Sequence, residues 1–123
     1  MNRLTKLCRP VASALVLMLA AVPSALAHAH PMVVKPAPDS TGPAPISISI
    51  TFSEAVEPKF SSIQLGDEKG KAVASEASKP KPNDPKTLIL AVPKLQAGTY
   101  IVHWVNVAVD GHRLEGSYKF TVR

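Results

Sequence analysis

The sequence predicts an all-β domain, a sandwich or small barrel of about seven strands. Three observations lead there. Apolar residues recur at every second position in several separate runs, turn-forming residues fall between those runs, and 12 prolines are scattered over 123 residues. The prolines exclude a helical bundle, because each lacks an amide hydrogen and breaks a helix interior. A hydrophobic content of 46% excludes wholesale disorder. The length fits one small domain.

Residues 1–27 are read as an address and set aside from the fold. Arg3, Lys6 and Arg9 form a positive leader, an apolar stretch runs from Val11 to Val22, and Ala25-Leu26-Ala27 offers small residues for cleavage. This is the pattern of a Sec-type signal peptide. The apolar stretch is too short for the ~20 residues that a bilayer span needs. Removing 27 residues leaves 96, and removing three of the 14 basic residues leaves 11 against nine acidic ones. The mature domain, 28–123, is then nearly balanced, which takes away the main support for a nucleic-acid role. Cys8, the one cysteine, leaves with the leader. No disulfide can then hold the mature chain, which suits an exported protein that relies on its core.

The strands fall near 32–36, 46–53, 60–66, 71–74, 86–92, 98–109 and 114–122. In the second, Ile46, Ile48, Ile50 and Phe52 alternate with Ser47, Ser49, Thr51 and Ser53. In the fifth, Leu88, Leu90 and Val92 share one face. Tyr100, Val102 and Trp104 do so in the sixth, and Tyr118, Phe120 and Val122 in the seventh. Each is a half-buried strand pattern. Turns are expected at Pro43-Ala44-Pro45, Gly66 to Gly70, Pro93 to Gly98 and Asp110-Gly111-His112. Phe52, Phe60, Tyr100, Trp104 and Phe120 are the aromatic candidates for the core. Ser75 to Lys86 carries three prolines and three lysines and is read as a solvated loop.

Four histidines carry the possible chemistry. Cleavage after Ala27 would make His28 the first residue, so that its α-amine and imidazole could chelate one metal ion. Both groups are available as neutral donors near neutral pH. His30 follows two residues later, and an amine, two amides and a third-position histidine also suit square-planar Cu(II) or Ni(II). A nitrogen-rich donor set favours Cu(II). Asp110 and His112, two apart in extended chain, can face one ligand, with Gly111 easing the bend. Asp-Gly is equally a hairpin-turn dipeptide, so both readings stand at this point. His103 is read as a surface strand residue, and Glu54 and Glu57 as parts of a solvated turn.

His28-Ala29-His30 followed by Pro31 to Ser40, then Phe52-Ser53-Glu54-Ala55-Val56-Glu57, then Tyr100-x-Val102-x-Trp104, Asp110-Gly111-His112 and Gly116-x-Tyr118-x-Phe120-x-Val122 together resemble the CopC family of periplasmic copper-resistance proteins. The likeness spans nearly all of the mature chain. It implies a Greek-key β-sandwich, cupredoxin-like or immunoglobulin-like. It also implies a Cu(II) site made by the amine and imidazole of His28 with Asp110 and His112. His30 matches an additional histidine of some relatives. Some relatives also carry a methionine-rich segment for Cu(I). Here the interval Gly66 to Lys86 has no methionine, and Met32 is the one methionine of the mature chain. Thioethers are what Cu(I) selects, so a Cu(II)-only protein is expected.

The function that follows is a non-enzymatic periplasmic copper buffer or carrier. By resemblance its partner is an inner-membrane copper permease of the CopD type, and the protein acts as a monomer. Two other classes compete. A histidine-brace oxidative enzyme resembling lytic polysaccharide monooxygenases would use the same terminal histidine, but the Asp110 carboxylate would occupy a position that oxygen chemistry wants open. An immunoglobulin-like interaction module would leave the histidines incidental. Copper titration separates the module from the binder, and copper-dependent peroxide or oxygen consumption separates the enzyme.

Overall fold

The computed structural model describes residues 28–73 and 76–123. The expected signal peptide, 1–27, lies outside the described residues. The described residues hold eight strands and no helix: β1 (Pro31–Lys35), β2 (Thr41–Gly42), β3 (Ser47–Phe52), β4 (Ser62–Asp67), β5 (Lys79–Lys81), β6 (Asp84–Ala91), β7 (Gly98–Val107) and β8 (Arg113–Val122). They form two four-stranded sheets, β1-β3-β6-β5 and β2-β8-β7-β4. That order, with the chain crossing between sheets after β1, β2, β3, β4 and β6, is the Greek-key arrangement of immunoglobulin-like sandwiches. All pairings are antiparallel except the parallel β2–β8 contact.

Period-two alternation places the core where it was expected. Ile48, Ile50 and Phe52 of β3 and Leu88 and Leu90 of β6 face Ile63 and Leu65 of β4, Val102 of β7, and Phe120 and Val122 of β8. Each such side chain contributes roughly 1.5–3 kcal/mol on full burial. Tyr100 stacks on Phe120 with ring centroids 5.7 Å apart, and its hydroxyl donates 2.7 Å to the Gln96 carbonyl four residues upstream. This pins the β6–β7 corner, as tyrosines do at the equivalent corner of immunoglobulin-like folds. Trp104 meets Phe52 edge to face at 5.7 Å. Its ring lies over Gly116, where a Cβ would fall 2.5 Å from Cζ2, so only glycine fits opposite it.

Several expectations are corrected. The stretch read as a loop, Ser75 to Lys86, contains β5 and the start of β6. β5 is an exposed three-residue edge strand, and Lys79, Pro80 and Lys81 are the residue types that edges tolerate. Pro82-Asn83 closes its hairpin, with Asn83 at φ 60°. The strand expected near 71–74 is an isolated bridge, Gly66 to Ala72, among the described residues. β2, at two residues, is too short to show a period. Phe60 lies outside the core, 66% exposed, because its amide closes a turn onto the Glu57 carbonyl before β4 begins. Ile46 is 87% exposed, since it precedes the first paired residue of β3.

Candidate metal centre

The histidines gather where the strands end. β1 enters the sheet beside the C-terminal end of β3, pairing Pro31 with Phe52, so residues 28–30 lie at the rim next to Ser53. Ser53 grips that segment. Its Oγ accepts from the His30 amide at 3.0 Å and donates to the His28 carbonyl at 3.3 Å, while its amide donates to the His30 carbonyl at 2.8 Å. From β7, the buried Asn106 Nδ2 donates 2.7 Å to the Ala29 carbonyl.

The β7–β8 connection, Ala108 to His112, closes against the same rim. The Gly111 amide donates to the Ala108 carbonyl at 2.8 Å and the Ala108 amide to the His112 carbonyl at 2.9 Å. Gly111 sits at φ 90°, a conformation that a side chain would strain. Asp110-Gly111-His112 is thus a turn, and it also presents two side chains to His28. The His112 and His28 rings are nearly perpendicular, with centroids 4.8 Å apart. His30 stands 6.1 Å from His28 by the same measure, on the exposed side.

Asp110 holds His112 twice. Oδ1 accepts the His112 amide at 3.0 Å, and Oδ2 lies 3.0 Å from His112 Nδ1. These two bonds, with the nearby charges of His112 and His28, hold the Asp110 carboxyl below the usual carboxylate range. A carboxylate on Nδ1 leaves Nε2 of His112 free, the arrangement in which an imidazole is oriented toward a metal. His28 Nδ1 is buried and has no hydrogen-bond partner. It is the ring nitrogen nearer the backbone, and so the one that can close a small chelate ring with the residue's own nitrogen. Buried polar atoms are nearly always paired, so a buried, unpartnered ring nitrogen on a histidine packed beside a second imidazole suits a ligand.

The four side chains are neighbours but not a closed cage: among the described residues, no group of three or more His, Cys, Asp and Glu is already spaced to hold a metal ion. Asp110 is engaged with His112. His103 is not part of the cluster. Its Nδ1 is 3.1 Å from Ser117 Oγ and its Nε2 is 3.7 Å from Glu115, on the solvent side of the β7–β8 pair. Glu54 and Glu57 form no ion pair among the described residues. Met32 is 67% exposed on β1.

Sequence reasoning passed over Ser53 and Asn106. Asn106 carried a usable signal: it continues the inward phase of Val102 and Trp104, and a buried carboxamide must find a partner. Ser53 carried none, because its partners lie 23 and 25 residues away in sequence.

Residues 33–123 match the CopC domain family model. The chain belongs to the CopC family. It is 35% identical over 123 residues to the copper resistance protein C of Xanthomonas campestris pv. juglandis, covering 94% of this chain and 97% of that one. The crystal structure of CopC from Methylosinus trichosporium OB3b superposes with a TM-score of 0.72 at 34% identity, covering 77% of this chain and 93% of that chain. PcoC from Escherichia coli, described as a methionine-rich copper resistance protein, superposes with a TM-score of 0.70 at 36% identity over 79% of this chain and 100% of that one. The Greek-key sandwich read from the sequence is therefore the fold of this CopC-family chain.

Proposed function

We propose that residues 28–123, released from a signal peptide 1–27, bind one Cu(II) ion in the periplasm as a monomeric buffer or carrier that supplies an inner-membrane copper permease of the CopD type. The copper-related part of this reading rests on family membership, since relatives are named copper resistance protein C. The ligands are the α-amine and Nδ1 of His28, the His112 imidazole and the Asp110 carboxylate, with His30 as a further donor.

The observation that carries the reading is the buried, unpartnered Nδ1 of His28 beside the His112 ring. Imidazole and amine nitrogens with one carboxylate form a hard-to-intermediate donor set that suits tetragonal Cu(II). The donors fill the positions that an oxygen-activating site would keep open, so the protein acts by binding, without turnover. With no methionine between Gly66 and Lys86, soft donors for Cu(I) are lacking there, and reduction releases the ion.

The test compares two forms of the chain, one beginning at His28 and one with a single residue added before it. Cu(II) titration followed by EPR should show nitrogen hyperfine coupling in the first, with weaker binding and an altered spectrum in the second. Equal affinity and identical spectra would remove the α-amine from the site. Mass spectrometry of exported protein checks the terminus, and a chain beginning at His30 would overturn the assignment.

A further inference from the structure

We propose that Asn106 is a positioning residue of the metal site: its carboxamide grips the Ala29 carbonyl and so presets the terminal segment in the conformation that turns His28 toward the β7–β8 loop. The proposal rests on the Cu(II) reading above. Asn106 is 0% exposed, two residues beyond Trp104 on the inward phase of β7. Its Nδ2 reaches a carbonyl 77 residues away in sequence. The orientation follows from chemistry, because a carbonyl oxygen only accepts, and the amide must therefore turn its NH2 to Ala29. Its Oδ1 is left buried and without a partner.

Core packing does not account for this arrangement. An apolar side chain of similar size would remove the unpaired Oδ1 but leave the buried Ala29 carbonyl without its partner, so what the amide adds is the hold on residue 29. The amide's one bond goes to the residue between His28 and His30. Ala29 is itself fully buried, so the segment is anchored at its middle. Ser53 takes the flanking groups: the His28 carbonyl, the His30 amide and the His30 carbonyl. The first residues of a chain ordinarily fray unless tied down. A chelating terminus already held in its binding conformation loses less freedom when the ion arrives, and that difference appears as affinity. Asn106 makes no hydrogen bond to a proposed donor atom among the described residues and acts through the backbone.

The test uses the chain beginning at His28, with Cu(II) itself as the probe in competition with a chromophoric chelator. Asn106→Leu keeps the branched shape and removes the bond. Its metal-free melting temperature should fall by no more than a few degrees, since the Ala29 carbonyl loses its partner while the unpaired Oδ1 is removed as well. Its Cu(II) affinity should fall about tenfold, the loss of roughly one hydrogen bond. Amide exchange at Ala29 and His30 should accelerate, while the EPR spectrum keeps the same nitrogen coupling. Unchanged affinity and exchange in folded Asn106→Leu would overturn the proposal, as would a changed ligand set. If Asn106→Leu does not fold, Asn106→Thr is read the same way, and failure of both to fold makes Asn106 a core element and ends the proposal. His112→Ala, run alongside, separates the two claims. If it keeps full affinity, the Cu(II) site itself is wrong, whatever Asn106 does.

Discussion

Along β7 the inward phase changes character within four residues. Val102 is enclosed by hydrocarbon from both sheets, and Asn106, on the same face of the same strand, spends its side chain on the backbone of residue 29. The first position belongs to the middle of the sandwich, where every apolar group is covered. The second belongs to the rim, where His28 Nδ1 and Asn106 Oδ1 are buried without partners and Asp110 and His112 face solvent. Stability is thus concentrated in the middle, and the proposed Cu(II) site lies at the edge. Substitutions in the two regions should separate cleanly.

The largest effect is expected in the middle. Leu90 is fully buried on β6, and Leu90→Ala should cost about 2–5 kcal/mol of folding stability through lost burial and the cavity left behind. Urea denaturation measures it. The molecules that remain folded should bind Cu(II) as before, because no donor has moved. A matching loss of affinity in the folded fraction would mean that rim and core are one unit.

His112→Ala is the converse. Its side chain is half exposed, so the metal-free protein should lose no more than about 0.5 kcal/mol. Cu(II) affinity should fall by more than about a hundredfold, beyond what losing an outer hydrogen-bonding partner of a metal ligand costs. Calorimetry and chelator competition read the two quantities on the same sample. If stability fell and affinity held, the β7–β8 connection would be a structural turn only.

The difference between the regions also decides what the sequence disclosed. The middle was legible because burial there repeats every second residue, and Ile48, Ile50, Phe52, Leu88 and Leu90 announce themselves locally. Phe60 and Ile46 misled because each stands before its strand begins. Ile46 extends the apolar alternation one step ahead of the first paired residue of β3, Phe60 precedes β4 out of phase with Ile63 and Leu65, and residue type alone does not mark where pairing starts. β5 was hidden because an edge strand of Lys-Pro-Lys has no inward phase to display. At the rim, His28, Asp110 and His112 were visible as donor types at suggestive places. Their juxtaposition, and the roles of Ser53 and Asn106, depend on contacts that the chain makes only after the sheets have closed.

Acid should distinguish the loop from the metal. The Asp110 carboxyl is held below its ordinary range mainly by the His112 amide, then by the His112 ring. A carboxyl lowered on folding stabilises above the unfolded value, near 3.9, and loses that contribution as pH falls through the lowered folded value. On this account, metal-free stability is flat from neutrality to about pH 5 and declines only below about pH 4. Cu(II) should leave earlier, below about pH 6, because protons compete for amine and imidazole nitrogens first. Asp110→Asn should remove its part of the acid decline in the metal-free protein and weaken Cu(II) binding at neutral pH. Thermal melts across pH, with and without Cu(II), record both. Coincident midpoints would mean that metal loss and loop loosening are the same event.

The smallest effect concerns a third unpartnered atom, in the sandwich instead of at the rim. The Tyr118 hydroxyl is buried without a hydrogen bond on β8, and burial pushes its pKa well above the usual phenol value. Among the described residues no imidazole or carboxylate pairs with it. Tyr118→Phe removes a polar atom that gains nothing from its surroundings, and stability should change by less than about 1 kcal/mol, in either direction. The sign at high pH is fixed. A group whose pKa rises on folding keeps its full contribution below the unfolded value, near 10, and loses it as pH climbs toward the folded value. The unsubstituted protein should therefore weaken above about pH 10 more steeply than Tyr118→Phe, while the two bind Cu(II) alike at neutral pH. A loss of Cu(II) affinity in Tyr118→Phe would show that an orphaned atom in the sandwich is coupled to the site, and the division between middle and rim would have to be redrawn.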